Sequence, residues 1–200
     1  SDGQKGMYAA ALAYRALFYL DMARMYEYLP TDGTEAVNID GNDVTGLTVP
    51  IVTDKTTEED CRHNPRVPHA EMAAFIESDL NLAEQYIELQ PKNTRVLPDL
   101  SCVYGLKARL YMWNEDYAKA KEYARKAIDA AKVAPMTQSE CLDVNSGFND
   151  ASCWMWASMQ TKETATVKTG IINWTSWLSN QTDFGYTGLA TGQFVSIDRS

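Results

Sequence analysis

The sequence predicts a mainly α-helical fold: antiparallel helical hairpins with long loop-rich insertions. Apolar residues recur at spacings of three and four in four separate segments, and the last two of these are joined by only a few residues. Between the others, Gly, Pro, Asp, Asn and Thr cluster into long irregular stretches.

The first helix is expected over residues 7–29, where Tyr8, Leu12, Ala16, Tyr19, Met22, Tyr26 and Leu29 form one apolar stripe and Pro30 supplies the stop. Residues 31–67 carry Gly33, Gly41, Gly46, Pro50 and Pro65 and read as a long excursion, with extended pieces at Leu47–Val49 and Ile51–Val52. Within it, Asp40-Gly41-Asn42-Asp43 has the look of a calcium loop. Its twelfth position is Ile51, so turn chemistry is the better account. The second helix covers 68–89, with Pro68 at its start and Met72, Phe75, Ile76, Leu80, Ala83 and Ile87 on its apolar face. The third covers 98–113, with Val103, Leu106, Leu110 and Trp113 in phase. Asp116 is the expected N-cap of the fourth, which runs from Tyr117 to about Lys132 with Ala120, Ala124, Ala127, Ile128 and Ala131 inward. Beyond Pro135 the helical period fades. Trp154 to Met159 reads as a short strand, with Trp154 and Trp156 on one face. The chain thus divides into a helical core, residues 1–134 with the insertion 31–67, and an irregular lobe, 135–200, of the same domain.

Bulk composition bounds the function. The chain has 200 residues, 45% hydrophobic and 22% charged, and at this length roughly 70% of the unfolded chain's surface can be buried. The net charge of −9 argues against nucleic acid and anionic polysaccharides as ligands and favours neutral ones. No run of about 18 apolar residues is present to span a membrane; the stretch from Met7 to Leu29 is broken by Arg15, Asp21, Arg24 and Glu27. The chain begins mid-pattern with Ser1-Asp2-Gly3-Gln4, as an excerpt of a longer protein would. The four cysteines form no C-x-x-C pair. Cys102 is expected to pack as a small hydrophobe, and Cys141 and Cys153 either pair or stay as buried free thiols. No cofactor and no metal site is expected.

The third and fourth helices carry the most specific pattern. Tyr104, Ala108 and Tyr111, followed by Ala120, Tyr123 or Ala124, and Ala127, reproduce the alternation of bulky and small residues of a tetratricopeptide-like hairpin. Small residues let the helix backbones approach and aromatic rings fill the wider gaps. One such unit cannot bury its face alone, so the first two helices must stack on it.

Together these segments resemble the RagB/SusD family. Tyr14-Arg15-Ala16 and the aromatic residues leading to Pro30 are similar to the family's early helix. Gly46 to Thr53 is similar to the stretch in which the chain returns to the core. Asn64-Pro65-Arg66-Val67-Pro68, with Phe75 to Leu80 after it, resembles the next helix, and Arg95, Gly105 to Met112 and Asp116 to Ala120 resemble the following pair. The resemblance covers residues 7–132 well and the remainder loosely; family members are longer. It implies a non-catalytic protein that binds oligosaccharide or polysaccharide on irregular segments above the helices. It also implies a lid on a TonB-dependent (SusC-like) outer-membrane transporter, facing outward and held by a lipid anchor absent from this sequence.

The residues themselves agree with binding rather than chemistry. No G-x-S-x-G, P-loop, H-E-x-x-H or G-x-G-x-x-G is present, and His63 and His69 suit surface or capping roles. The 27 acidic residues would supply a chance carboxylate pair in any fold, so they do not argue for a glycosidase. Sugar C–H faces pack on indole rings while hydroxyls seek amides, which singles out Trp174, Trp177, Asn173, Asn180, Gln181 and Tyr186 as the expected glycan-binding residues. A tetratricopeptide-type scaffold for a protein partner is the alternative, and a hydrolase is a third reading.

Overall fold

The computed structural model describes residues 1–29, 31, 33, 35–91, 95–143 and 150–157. One compact unit holds Ser1–Pro135 with Ser152–Ala157; Met136–Ala151 falls in a second. In the first unit α1 (Asp2–Tyr26), α3 (His69–Tyr86), α4 (Leu100–Trp113) and α5 (Tyr117–Ala130) are the main helices. The short α2 (Glu58–Arg62) interrupts the insertion, and a 3-10 turn (Ile87–Leu89) extends α3. α6 (Gln138–Leu142), opened by a capping box between Thr137 and Glu140, is the described helix of the second unit.

α1 starts five residues earlier than its apolar stripe suggests, because Ser1 and Gln4 form a capping box. It ends at Tyr26. The Arg66 side chain donates there to Tyr26 O and Leu47 O, both at 2.5 Å, and to Thr48 O at 2.6 Å, so a distant residue satisfies the helix end. Pro30, the expected stop, lies outside the described residues. The buried face matches the expected stripe in part: Leu12, Ala16 and Tyr19 are buried. Ala9, Ala10, Ala13, Ala16, Leu20 and Ala23 are at most 2% exposed, whereas Tyr8, Tyr26 and Leu29 are 55%, 57% and 45% exposed. Alanine and Gly6 line the contact, so α1 lies close against α3 and its 3-10 turn.

α3 buries Met72, Ile76, Leu80 and Ala83, and Ile87 follows in the 3-10 turn; Phe75 is partly buried. It runs antiparallel to α1: Gly6 abuts Gln90 at one end, and His69 Nδ1 meets Glu27 Oε1 at 2.8 Å at the other. α4 lies against both, with Val103, Leu106 and Leu110 in the shared core. Two polar ties cross from α4 to α3. Lys107, 2% exposed, donates to Asn81 Oδ1 at 2.7 Å and pairs with Glu84, while Tyr111 Oη donates to Glu77 at 2.6 Å. Burial, with the Glu77 carboxylate beside it, raises the Tyr111 pKa. At the far end of α4, Trp113 Nε1 donates to Glu27 Oε2 at 2.9 Å and its ring stacks on His69 at 3.8 Å.

α4 and α5 form the expected hairpin. Asp116 N donates to Tyr111 O at 2.9 Å and Glu115 N to Met112 O at 3.2 Å, a Schellman motif. Asp116 then caps α5 by accepting from Lys119 N at 3.1 Å. The left-handed position falls on Glu115, at φ 58°, where glycine is the usual residue. Glu115→Gly is expected to stabilise the protein by roughly 1 kcal/mol. That raises the melting temperature by about 2–4 °C; calorimetry showing no rise would refute it.

Ala120 and Ala127 of α5 are buried as expected, but Ala124 and Ile128 face solvent, Ile128 at 61% exposure. The helical period holds, and the side of it that carries Ala120 and Ala127 is the covered one. Trp154 to Ala157 form bends after a 3-10 turn (Ala151–Cys153) rather than a strand. They are held by Ala157 N donating to Arg95 O at 2.8 Å and Trp156 Nε1 donating to Tyr14 Oη at 3.1 Å.

In the insertion, Leu47 to Val49 is extended and pairs with Val67 and Pro68, through Thr48 N to Val67 O at 2.8 Å and His69 N to Gly46 O at 3.0 Å. The Asp40 to Asp43 segment is a turn organised by Asn38 Oδ1, which accepts from Asp40 N and Asn42 N, with Gly41 at φ 79°. No described helix is long and apolar enough to cross a membrane.

Candidate functional site

Two hollows of about 290 and 260 Å³ adjoin at the head of α4 and share Asp99, Ser101 and Lys132. Asp99 is placed by its own helix, as N-cap. Its Oδ1 accepts from Cys102 N at 3.1 Å and Ser101 Oγ at 2.5 Å, and among the described residues no hydrogen bond falls on Oδ2. Gln90 arrives from the turn after α3. Its Nε2 donates to Ile87 O and Pro98 O, at 3.1 and 2.8 Å, while Oε1 is buried with no partner among the described residues. Lys132 follows the end of α5. Trp154 and Arg95 complete the wall, in adjoining segments tied by the Ala157 to Arg95 bond.

The arrangement sets one partly exposed indole in a hollow with a carboxylate, a hydroxyl and two cations, and the Gln90 amide in the hollow that adjoins it. An indole face takes sugar C–H groups, and the polar groups around it both donate and accept, as hydroxyls require. Cys102 lies beneath; burial pushes its thiol up to about 11, and Sγ approaches Met155 O at 3.6 Å, so it packs as a small hydrophobe. Cys61, Cys141 and Cys153 are also free thiols, and Cys141 and Cys153 are partly exposed rather than buried.

The expected site residues Trp174, Trp177, Asn173, Asn180, Gln181 and Tyr186 all lie outside the described residues. Sequence reasoning passed over Gln90, Asp99 and Lys132 as ligand residues, and read Trp154 as part of a short strand. His63 is exposed and lies 4.0 Å from Glu59; His69 joins α1, α3 and α4 through Glu27 and Asn114. Among the described residues no three His, Cys, Asp or Glu side chains are grouped to hold a metal ion.

Stacked α-hairpins with a long insertion between α1 and α3 define a tetratricopeptide-like helical fold. The likeness to known proteins is one of structure. A SusD-like carbohydrate binding protein from Bacteroides vulgatus superposes with a TM-score of 0.67 at 23% identity, over 90% of this chain and 35% of that one. A second Bacteroides vulgatus protein gives 0.61 at 20% identity, over 94% and 39%. A SusD-like protein from Bacteroides fragilis gives 0.55 at 17%, over 83% and 29%. The chain therefore has the SusD-like fold, as its sequence resemblance implied, and spans between 29% and 39% of the length of these structures. No family model and no curated protein matches it.

Proposed function

We propose that this chain is part of a SusD-like glycan-binding protein that captures neutral oligosaccharide or polysaccharide without cleaving it, for uptake through a TonB-dependent transporter at the outer membrane. The observation that carries the reading is the pair of adjoining hollows at the head of α4, where Asp99, Ser101 and Lys132 are shared, Trp154 lines one and Gln90 the other. The fold adds support, since a matched structure is a carbohydrate binding protein. The net charge of −9 favours neutral glycans. Trp174, Trp177, Asn173, Asn180, Gln181 and Tyr186 belong to the same proposal as a second place for ligand, in the irregular lobe of residues 135–200.

Calorimetry against a panel of neutral polysaccharides tests this. One or more is expected to bind, and Trp154→Ala to lower the affinity at least tenfold, about 1.4 kcal/mol. Binding that ignores Trp154→Ala but is lost in Trp174→Ala would move the site to the lobe. No binding to any glycan, or release of new reducing ends, would end the reading.

A further inference from the structure

The hollow lined by Trp154 has two walls of different kinds. Asp99 and Ser101 stand at the head of α4 and Lys132 follows α5, so one wall is built on the α4–α5 hairpin. The other wall, Arg95, Trp154 and Met155, lies on two segments outside any helix. Those segments hold each other, since Ala157 N donates to Arg95 O at 2.8 Å. Their polar tie to α1 comes from a residue that lines neither hollow, Tyr14, in the middle of that helix. Tyr14 Oη donates its single proton to Val96 O at 2.5 Å and accepts from Trp156 Nε1 at 3.1 Å. Its ring meets that of Trp156 edge-on, with centroids 4.7 Å apart at 68°. The turn of α1 that carries Tyr14 is itself fixed, because the next residue, Arg15, grips Asp79 of α3 with two hydrogen bonds.

We propose that Tyr14 is a positioning residue of the glycan site, whose hydroxyl sets the Trp154 indole against the α4–α5 wall. This rests on the reading of the hollow as a glycan site. One oxygen serves both segments: Val96 is next to Arg95, and Trp156 is two residues from Trp154. Removing it takes a partner from a carbonyl and from an indole N–H at once, and a partly buried N–H regains little from water. The edge-on ring contact alone does not fix the height of the 154–157 segment, whereas a hydrogen bond sets both distance and direction. Tyr14→Phe deletes that oxygen and keeps the ring, so the packing of α1 is retained.

Two measurements on the full chain test it. Tyr14→Phe is expected to weaken binding of a neutral polysaccharide that the wild type binds by about fivefold. The double variant Tyr14→Phe/Trp154→Ala should bind no more weakly than Trp154→Ala, because the hydroxyl acts through the indole. A role in general stability would instead add the same loss in both backgrounds. Hydrogen exchange supplies a readout without ligand: Tyr14→Phe should speed exchange of the Ala157 amide by at least about tenfold and leave Leu110, in the core of α4, at its wild-type rate. Unaltered glycan affinity in Tyr14→Phe, an additive loss in the double variant, or an unchanged Ala157 amide would overturn this inference and leave the glycan site standing. A wild type that binds no glycan would overturn both.

Discussion

Arg15→Ala is expected to destabilise the protein by about 3 kcal/mol. Nε and Nη2 of Arg15, on α1, each donate at 2.7 Å to a different oxygen of Asp79, on α3. The Asp79 side chain is 5% exposed and that of Arg15 32%. The Asp79 hydrogen bond raises the Arg15 pKa, and the guanidinium also lies 5.0 Å from the Phe75 ring. Deleting the arginine strands a buried carboxylate in the α1–α3 seam, and an uncompensated buried charge costs more than the pair contributes. Because the Arg15 side is about a third open, water can reach the orphaned oxygens, which places the loss at the low end of the usual range of about 3–5 kcal/mol. The melting temperature should fall by about 6–12 °C. Arg15→Lys keeps the charge but loses the two-pronged geometry and should lie between. Arg15→Met/Asp79→Leu, which removes both charges and keeps volume, should recover most of the loss. Urea unfolding of the four proteins decides the matter: if the double variant is as weak as Arg15→Ala, the buried carboxylate is not the cause.

The core positions of α3 and α4 were legible in the sequence. Met72, Ile76, Leu80, Val103, Leu106 and Leu110 recur at helical spacing, and all are buried. Caps were legible for the same local reason: Asp116 needs only its own next three residues to act. In α1 only part of the stripe, Leu12, Ala16 and Tyr19, is the buried face, because large apolar residues also lie outside, as Tyr8, Phe18 and Met25, and alanines inside. A hydrophobic period assigns no face to such a helix, and alanine adds little to it. In α5 the stripe of Ala124 and Ile128 is real, yet no described element covers it; a periodic pattern cannot say which partner, if any, arrives. The cleft at the head of α4 was not legible. Gln90, Asp99, Lys132 and Trp154 come from four separate segments, and only the packing of α3, α4 and α5 brings them together. Each has an ordinary local explanation, as turn, N-cap, helix end and strand residue. The alternation of Trp154 and Trp156 imitated a strand, while Tyr14 Oη and Arg95 O, remote in sequence, set the actual path.

Gly6→Ala is the second substitution with a large expected effect, and it links the packing to the cleft. A Cβ at position 6 would stand 2.3 Å from Gln90 N and 2.5 Å from Leu89 C, both backbone atoms. No side-chain rotation relieves that; either α1 moves off α3 or the 87–90 turn moves. Alanine in a helix interior gains about 1 kcal/mol over glycine, so an unhindered site would be stabilised. Here overpacking against backbone costs at least the usual 1–3 kcal/mol, and the sign reverses. The displaced turn carries Gln90, whose Nε2 bonds to Ile87 O and Pro98 O fix one wall of the cleft. Gly6→Ala should therefore lower the melting temperature and weaken glycan binding together, although position 6 touches no ligand. A glycan affinity that stays at the wild-type value while the melting temperature falls would show that the 87–90 turn does not position the cleft. A melting temperature that rises would show that α1 and the turn are not in the close contact that Gly6 permits.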